Sequence, residues 1–180
     1  MTAEALRGLS LWAAADAVGP LEFVVRGDCM HPLLLDGDTV VVESASAGPR
    51  LGDLVLLVDH TDCLCLHRLV WRRVCRGEPV FYQKPDNTLR ASRVAVRRLL
   101  GVAMAVTRQG RVLLLREKRN RLVSRCLGLC HVIAALASAV GRRLPLPRTL
   151  SEVLDRLVAT VLRAIGAFAV RWFTWSRGGS

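Results

Sequence analysis

The sequence predicts a mainly β domain, a folded antiparallel sheet or barrel, that carries a helical C-terminal extension. Three observations point there. Between Leu21 and Val106, short runs rich in Val and Leu alternate with clusters of Gly, Pro, Asp and Asn at the spacing of strands and tight turns. After Glu117 the turn clusters thin out and apolar residues recur at helical intervals. The charge divides nearby: residues 1–89 hold 8 Lys or Arg against 12 Asp or Glu, and residues 90–180 hold 18 against 3, so the formal +11 belongs to the second half.

Taken in order, residues 1–20 read as a short amphipathic helix closed by Gly19-Pro20. The acidic Glu4 and the broken apolar run argue against a secretory signal. The expected strands are "LEFVVR", "DTVVVE", "DLVLLVD", "CLCLHRLVWRRV", "EPVFYQK" and "LLGVAMAV". A hairpin turn at Gln109-Gly110 then leads into one more strand in "RVLLLRE". Turns fall at Gly27-Asp28, Asp36-Gly37-Asp38, Ala47-Gly48-Pro49, His60-Thr61-Asp62, Arg76-Gly77-Glu78 and Pro85-Asp86-Asn87. Residues 21–117 therefore make the β domain, and residues 118–180 a basic helical extension. Within the extension the apolar run from Cys126 to Val140 falls short of the roughly 20 residues that cross a bilayer. "LPLPR" then interrupts, and Thr149-Leu150-Ser151-Glu152 reads as a capping box. A second helix follows, with apolar residues at Leu150, Val153, Leu154, Leu157, Val158, Val161, Leu162, Ile165, Phe168, Ala169, Trp172 and Phe173; packing against the body or the preceding helix is its expected role.

Composition narrows the function classes. At 180 residues and 52% hydrophobic, the chain can bury a core and is not a disordered tail. Six cysteines in a chain of this length, without a signal peptide, fit a reducing cytoplasmic setting better than a disulfide scaffold. Only Lys84 and Lys118 are lysines, the arginine usage of a GC-rich genome. The basic half suits an anionic membrane surface, so peripheral contact through the C-terminal helices at the inner membrane face is an open partner reading. Nucleic acid is disfavoured, since no helix-turn-helix pattern precedes the β domain. Cys63 and Cys65 share one strand face, and Cys126 and Cys130 lie one helical turn apart beside His131. Neither set has a second half at zinc spacing, so packing is the expected role and neither metal nor cofactor is expected.

Three segments carry chemistry: "GDCMHP", "CLHRLV" and "QKPDN". A thiol becomes a strong nucleophile when a base takes its proton, and the base works best when a third polar group fixes its tautomer. Cys29, His67 and Asp86 supply those types. By residue type alone, Cys29 reads equally as a small packed side chain and His67 as a strand histidine with a satisfied hydrogen bond.

The order of the segments says more. Gly27-Asp28-Cys29-Met30-His31-Pro32, Gly37-Asp38-Thr39-Val40, Gly52-Asp53-Leu54-Val55, His67-Arg68, Lys84-Pro85-Asp86-Asn87 and Leu100-Gly101-Val102 resemble, box by box over residues 21–106, the type I signal peptidase family and its relatives in the LexA-like peptidase fold. The histidine in the base position is similar to the archaeal and endoplasmic-reticulum branch. The resemblance implies a bacterial signal-peptidase-like endopeptidase acting on a peptide or precursor protein. In it Cys29 stands for the nucleophilic serine, His67 for the general base and Asp86 for the residue orienting that base. Gly27, Met30, Pro32 and Arg68 would shape the substrate and oxyanion side, with the substrate bound as an added strand. Cysteine replaces the family's serine, and Pro85 replaces a glycine in the Lys-Gly-Asp-Asn loop. The same substitutions suit a catalytically inactive module that binds a peptide or leader.

Overall fold

The computed structural model describes residues 19–45, 48–75, 77–141, 148–173 and 175–177. The helix expected over residues 1–20 lies outside them, apart from Gly19 and Pro20. The described chain is mainly β, a curled antiparallel half-barrel followed by two helices. The strands are β1 (Leu21–Val24), β2 (Thr39–Ser44), β3 (Leu54–Val58), β4 (Leu64–Cys75), β5 (Glu78–Lys84), β6 (Ser92–Ala95), β7 (Leu99–Arg108), β8 (Arg111–Leu114) and β9 (Trp175–Arg177). Their sheet order is β1-β2-β7-β3-β4-β5-β6. One side of β7 pairs first with β3 and then, past Ala105, with β8, which in turn pairs with β9.

Seven strands fall on the expected runs. Two were not anticipated: β6 hides in the arginine-rich "SRVAVRR", and β9 lies at the end of a segment expected to be helical. Register shifts at Val41/Val42, Leu56/Leu57 and Leu69/Trp71 bend the sheet, as bulges do. The curl gives it two packed faces. On β4, Leu64 and Leu66 turn to a core with Met30, Leu33, Leu54, Leu56 and Leu127, whereas Cys65 and Leu69 turn to a core with Val55, Leu57, Phe81 and Leu99. β3 runs between the two and is buried at every position, "LVLLV". Each such Leu or Val, fully removed from water, contributes roughly 1.5–3 kcal/mol before conformational entropy is counted.

The helices are α1 (Lys118–Gly141) and α2 (Arg148–Val170). α2 begins one residue before Thr149, so the expected capping threonine stands inside the first turn. Glycines let both helices approach the sheet body closely. A Cβ on Gly128 of α1 would come within 2.8 Å of Gly52 Cα, and a Cβ on Gly52, at φ +89°, would overlap the Ser124 backbone. A Cβ on Gly166 of α2 would press on the Pro32 ring at 3.2 Å. With β9 returning to β8, the segment after residue 117 is thus built into the body and is not a free tail. α1 is long and apolar enough to cross a membrane by length and composition, with mean hydropathy 1.7, yet a third of that stretch is buried against the protein.

Candidate functional site

The turn carrying Cys29 follows β1. Gly27 holds φ +84°, a left-handed conformation that a side chain would strain, and its N–H donates to Asp36 Oδ1 at 2.9 Å. Val25 and Asp38 close the same turn through backbone bonds. Asp38, the acid of the second Gly-Asp box, is buried. It accepts the Leu35 N–H and a two-pronged pair of bonds from Arg108, at 2.8 and 2.6 Å. Met30 is 1% exposed and sits in the core, so it anchors the turn from below and does not face a substrate. Pro32 is half-buried against Gly166 of α2.

This turn leans on an open stretch of sheet edge. β5 pairs with β4 only from Arg68 onward, and β3 covers the other side, so residues 64–67 lack a strand partner on the β5 side. Leu69 bonds through both its N–H and its C=O to the Gly52-Asp53 segment. By strand alternation the polar groups of Leu64 and Leu66 therefore point outward along the open edge. The half-buried thiol confirms that direction: Cys29 Sγ donates to Leu66 O at 3.9 Å. From the far side Asn87 clamps the turn, its N–H donating to Cys29 O at 3.2 Å and its Nδ2 to Asp28 O at 3.1 Å. Burial, then the charges of Asp28 and Asp86, push the Cys29 thiol up, while the N–H groups of Cys29 and Met30 point at the sulfur and work the other way. At neutral pH the resting group is a thiol, not a thiolate.

His67 projects from the face that holds Val55, its cross-strand partner. Its Nδ1 lies 2.6 Å from Gln83 Oε1. A carbonyl oxygen can only accept, so Nδ1 carries the proton and Nε2 is left as the basic nitrogen. Burial holds the imidazole below its ordinary pKa despite the Gln83 bond and the Asp59 and Asp86 charges. The ring is therefore neutral at pH 7, as a general base must be. His67 and Cys29 are not hydrogen-bonded to one another: each has a different partner.

Asp86 does not orient His67. Arg68 and Lys84 face the α1 side of the sheet, opposite His67, and the Asp86 carboxylate belongs to their network. Arg68 Nε and Nη2 donate to its two oxygens at 2.8 and 2.6 Å, and His131 Nε2 lies 3.3 Å away. Burial acts to raise this carboxyl, but the guanidinium against it wins and keeps it below the usual range. Arg68 is fully buried and also donates to Gly52 O and Ser124 Oγ, so it cannot touch a substrate and is a structural clamp. Lys84, equally buried, donates to Pro85 O at 2.7 Å and meets His131 Nδ1 at 2.6 Å. Since Lys84 has only donors, His131 accepts at Nδ1 and donates from Nε2 to Asp86. Burial lowers Lys84 to about 8 and His131 to about 4.

Of the residues singled out from sequence, the structure brings the Cys29 turn, the Leu66 edge and Asn87 together. It places His67 with Gln83, and it commits Asp86 and Arg68 to the opposite face. Gln83 was missed, and His131 was noticed only beside Cys126 and Cys130, with nothing in the residue order to link it to Lys84 and Asp86. Gln83 was obscured by the β4–β5 bulge, which shifts the register so that it pairs with Leu69 on the His67 face. Among the described residues no group of three His, Cys, Asp or Glu side chains converges as metal ligands would. No protein-family model, curated protein or solved structure matches this chain.

Proposed function

We propose that the chain is a signal-peptidase-like endopeptidase that takes an extended peptide along the open β4 edge and cleaves it at the carbonyl set against Cys29. The observation that carries the reading is the juxtaposition of an unpaired strand edge at Leu64–His67 with a half-buried thiol bonded to the Leu66 carbonyl. An extended peptide adds there by main-chain hydrogen bonds, displacing the thiol from Leu66 O. Cys29 Sγ attacks the peptide carbonyl while His67 Nε2 takes the thiol proton and then delivers it to the leaving amine. Water hydrolyses the resulting thioester, returning free acid and thiol. The backbone N–H groups of Cys29 and Met30, which favour negative charge at the sulfur, are the donors assigned to the developing oxyanion in this reading. His67 must come within reach of the thiol in the peptide complex, as bases often do only when substrate is bound.

The test is mass spectrometry of candidate precursor peptides, including sequences with small side chains flanking the scissile bond, with Cys29→Ala and His67→Ala as controls. The expected result is one defined cleavage that both substitutions abolish. A second reading is favoured by the raised thiol and its separation from His67: a module that binds a peptide on the same edge without cutting it. Saturable binding of a peptide by the unaltered protein with no product, and unchanged in Cys29→Ala, would establish that module and remove the peptidase.

A further inference from the structure

We infer that the α1–α2 hairpin is a membrane-docking face that lies in the interface of an anionic bilayer. This rests on the surface of the hairpin and is independent of the peptidase reading. α1 is apolar on its outer side as well as its inner one: it turns Asn120, Ser124, His131 and Ser138 inward together with Leu127, Gly128 and Ala134, and it exposes Leu122, Leu129, Ile133, Leu136 and Val140. The inward groups are bonded, Ser124 to Gly52 O, His131 to Lys84, and Ser138 to Asp155 of α2. α1 therefore stays docked on the sheet, and its apolar stripe lies along a surface and does not run through a membrane.

α2 likewise leaves an apolar stripe outside. Leu162 and Gly166 are buried, whereas Leu150, Leu157, Val161 and Phe168 are exposed along one side of the helix, and Trp172, just past its end, is exposed as well. The stripe runs about 30 Å at 1.5 Å per residue. Trp172, 52% exposed and beside Phe168, places an aromatic pair at one end, a side-chain type that suits the headgroup region. The same segment carries exposed Arg119, Arg125, Arg156, Arg163 and Arg171, and from residue 118 onward Glu152 and Asp155 are the only acids. That charge decides the occupant. A second copy of the chain would bring arginine against arginine, whereas phosphatidylglycerol-like headgroups complement the arginines and the acyl region covers the leucines. Between α1 and the β4–β5 strands an apolar groove of about 480 Å³, lined by Val70, Trp71, Leu89 and Leu136 with Arg90, adjoins the α1 stripe at Leu136 and extends the same surface.

Flotation of the full chain tests this, using vesicles of phosphatidylcholine alone and vesicles with about 30% phosphatidylglycerol. The protein is expected to float with the anionic vesicles, and high salt should weaken binding. The double variant Ile133→Asp/Leu157→Asp, at two exposed positions, should lose flotation at least ten-fold with an unchanged circular dichroism spectrum and melting point. Arg156→Ala/Arg163→Ala should remove the preference for anionic over neutral vesicles. Failure of the unaltered protein to float, or flotation indifferent to the aspartates, would overturn the proposal. A concentration-dependent dimer that the aspartates dissolve, without flotation, would instead assign the face to a second copy.

Discussion

His67 and Arg68 are neighbours on one strand, and the two polar groups they head differ in almost every physical respect. Arg68 faces α1 inside a closed network in which Asp86, Lys84, His131 and Ser124 leave no buried side-chain atom unpartnered among the described residues. His67 has one hydrogen-bonded side-chain partner among the described residues, is partly buried, and neighbours Leu66, whose carbonyl receives the Cys29 thiol. The first group holds the Asp86-Asn87 loop against the Cys29 turn and ties α1 to the sheet. The second keeps a neutral nitrogen free. Two adjacent polar positions on one strand can therefore serve opposite ends: a closed ionic network specifies a structure, and a neutral group with one hydrogen bond is where chemistry is available.

The contrast breaks hardest at its buried side. Asp86→Ala leaves the Arg68 guanidinium buried without its counter-charge and should cost about 3–5 kcal/mol, on the order of 10 °C in melting temperature. A loss under about 1 kcal/mol in urea unfolding would mean the network is not closed. Gly52→Ala should follow at roughly 2–4 kcal/mol, because its Cβ overlaps the Ser124 backbone and its φ of +89° disfavours any side chain. A Gly52→Ala protein that melts with the unaltered one would show that α1 does not pack so closely.

The acid limb of stability sharpens the comparison next. His131 is held neutral down to about pH 4, whereas in the unfolded chain it protonates near 6.5. In that window the unfolded state binds the additional proton. Stability from His131 is thus fully present above 6.5 and is lost as pH falls toward 4, by on the order of 2 kcal/mol. His131→Gln should flatten this limb in pH-dependent denaturation, and an unaltered slope would remove His131 from the account. Smallest in stability is Gln83→Leu, expected to cost about 1 kcal/mol for the lost bond to His67. Its larger effect belongs to the proposed cleavage. With Nδ1–H no longer held, turnover should fall at least ten-fold. The pH profile should follow deprotonation of His67 from the acid side and then level off; activity that instead rises only in the alkaline range would show that Cys29 reacts after ionising by itself and not through His67.

Much of this was legible in residue order. The seven foreseen strands, their turns and the position of Cys29 at a tight corner follow from local patterns: β-branched runs, Gly at left-handed turns, and alternation on β4. The two short strands were not legible, since β6 and β9 have only a few residues each and exist because a neighbouring strand offers an edge. Asp86 illustrates the limit at the site. Its residue type and its box suggested an orienting acid for His67, but strand parity and the helix covering one face gave its carboxylate to Arg68 and His131.

By itself, then, the sequence determined the β architecture, the two helices and the identity of the turn bearing Cys29, because these rest on periodicity and on backbone preferences within a few residues. The partners of each polar side chain were decided only by the tertiary structure. One bulge on β4 sets the face on which Gln83 appears, a pair of glycines sets how closely α1 approaches, and both depend on contacts between segments far apart in the chain.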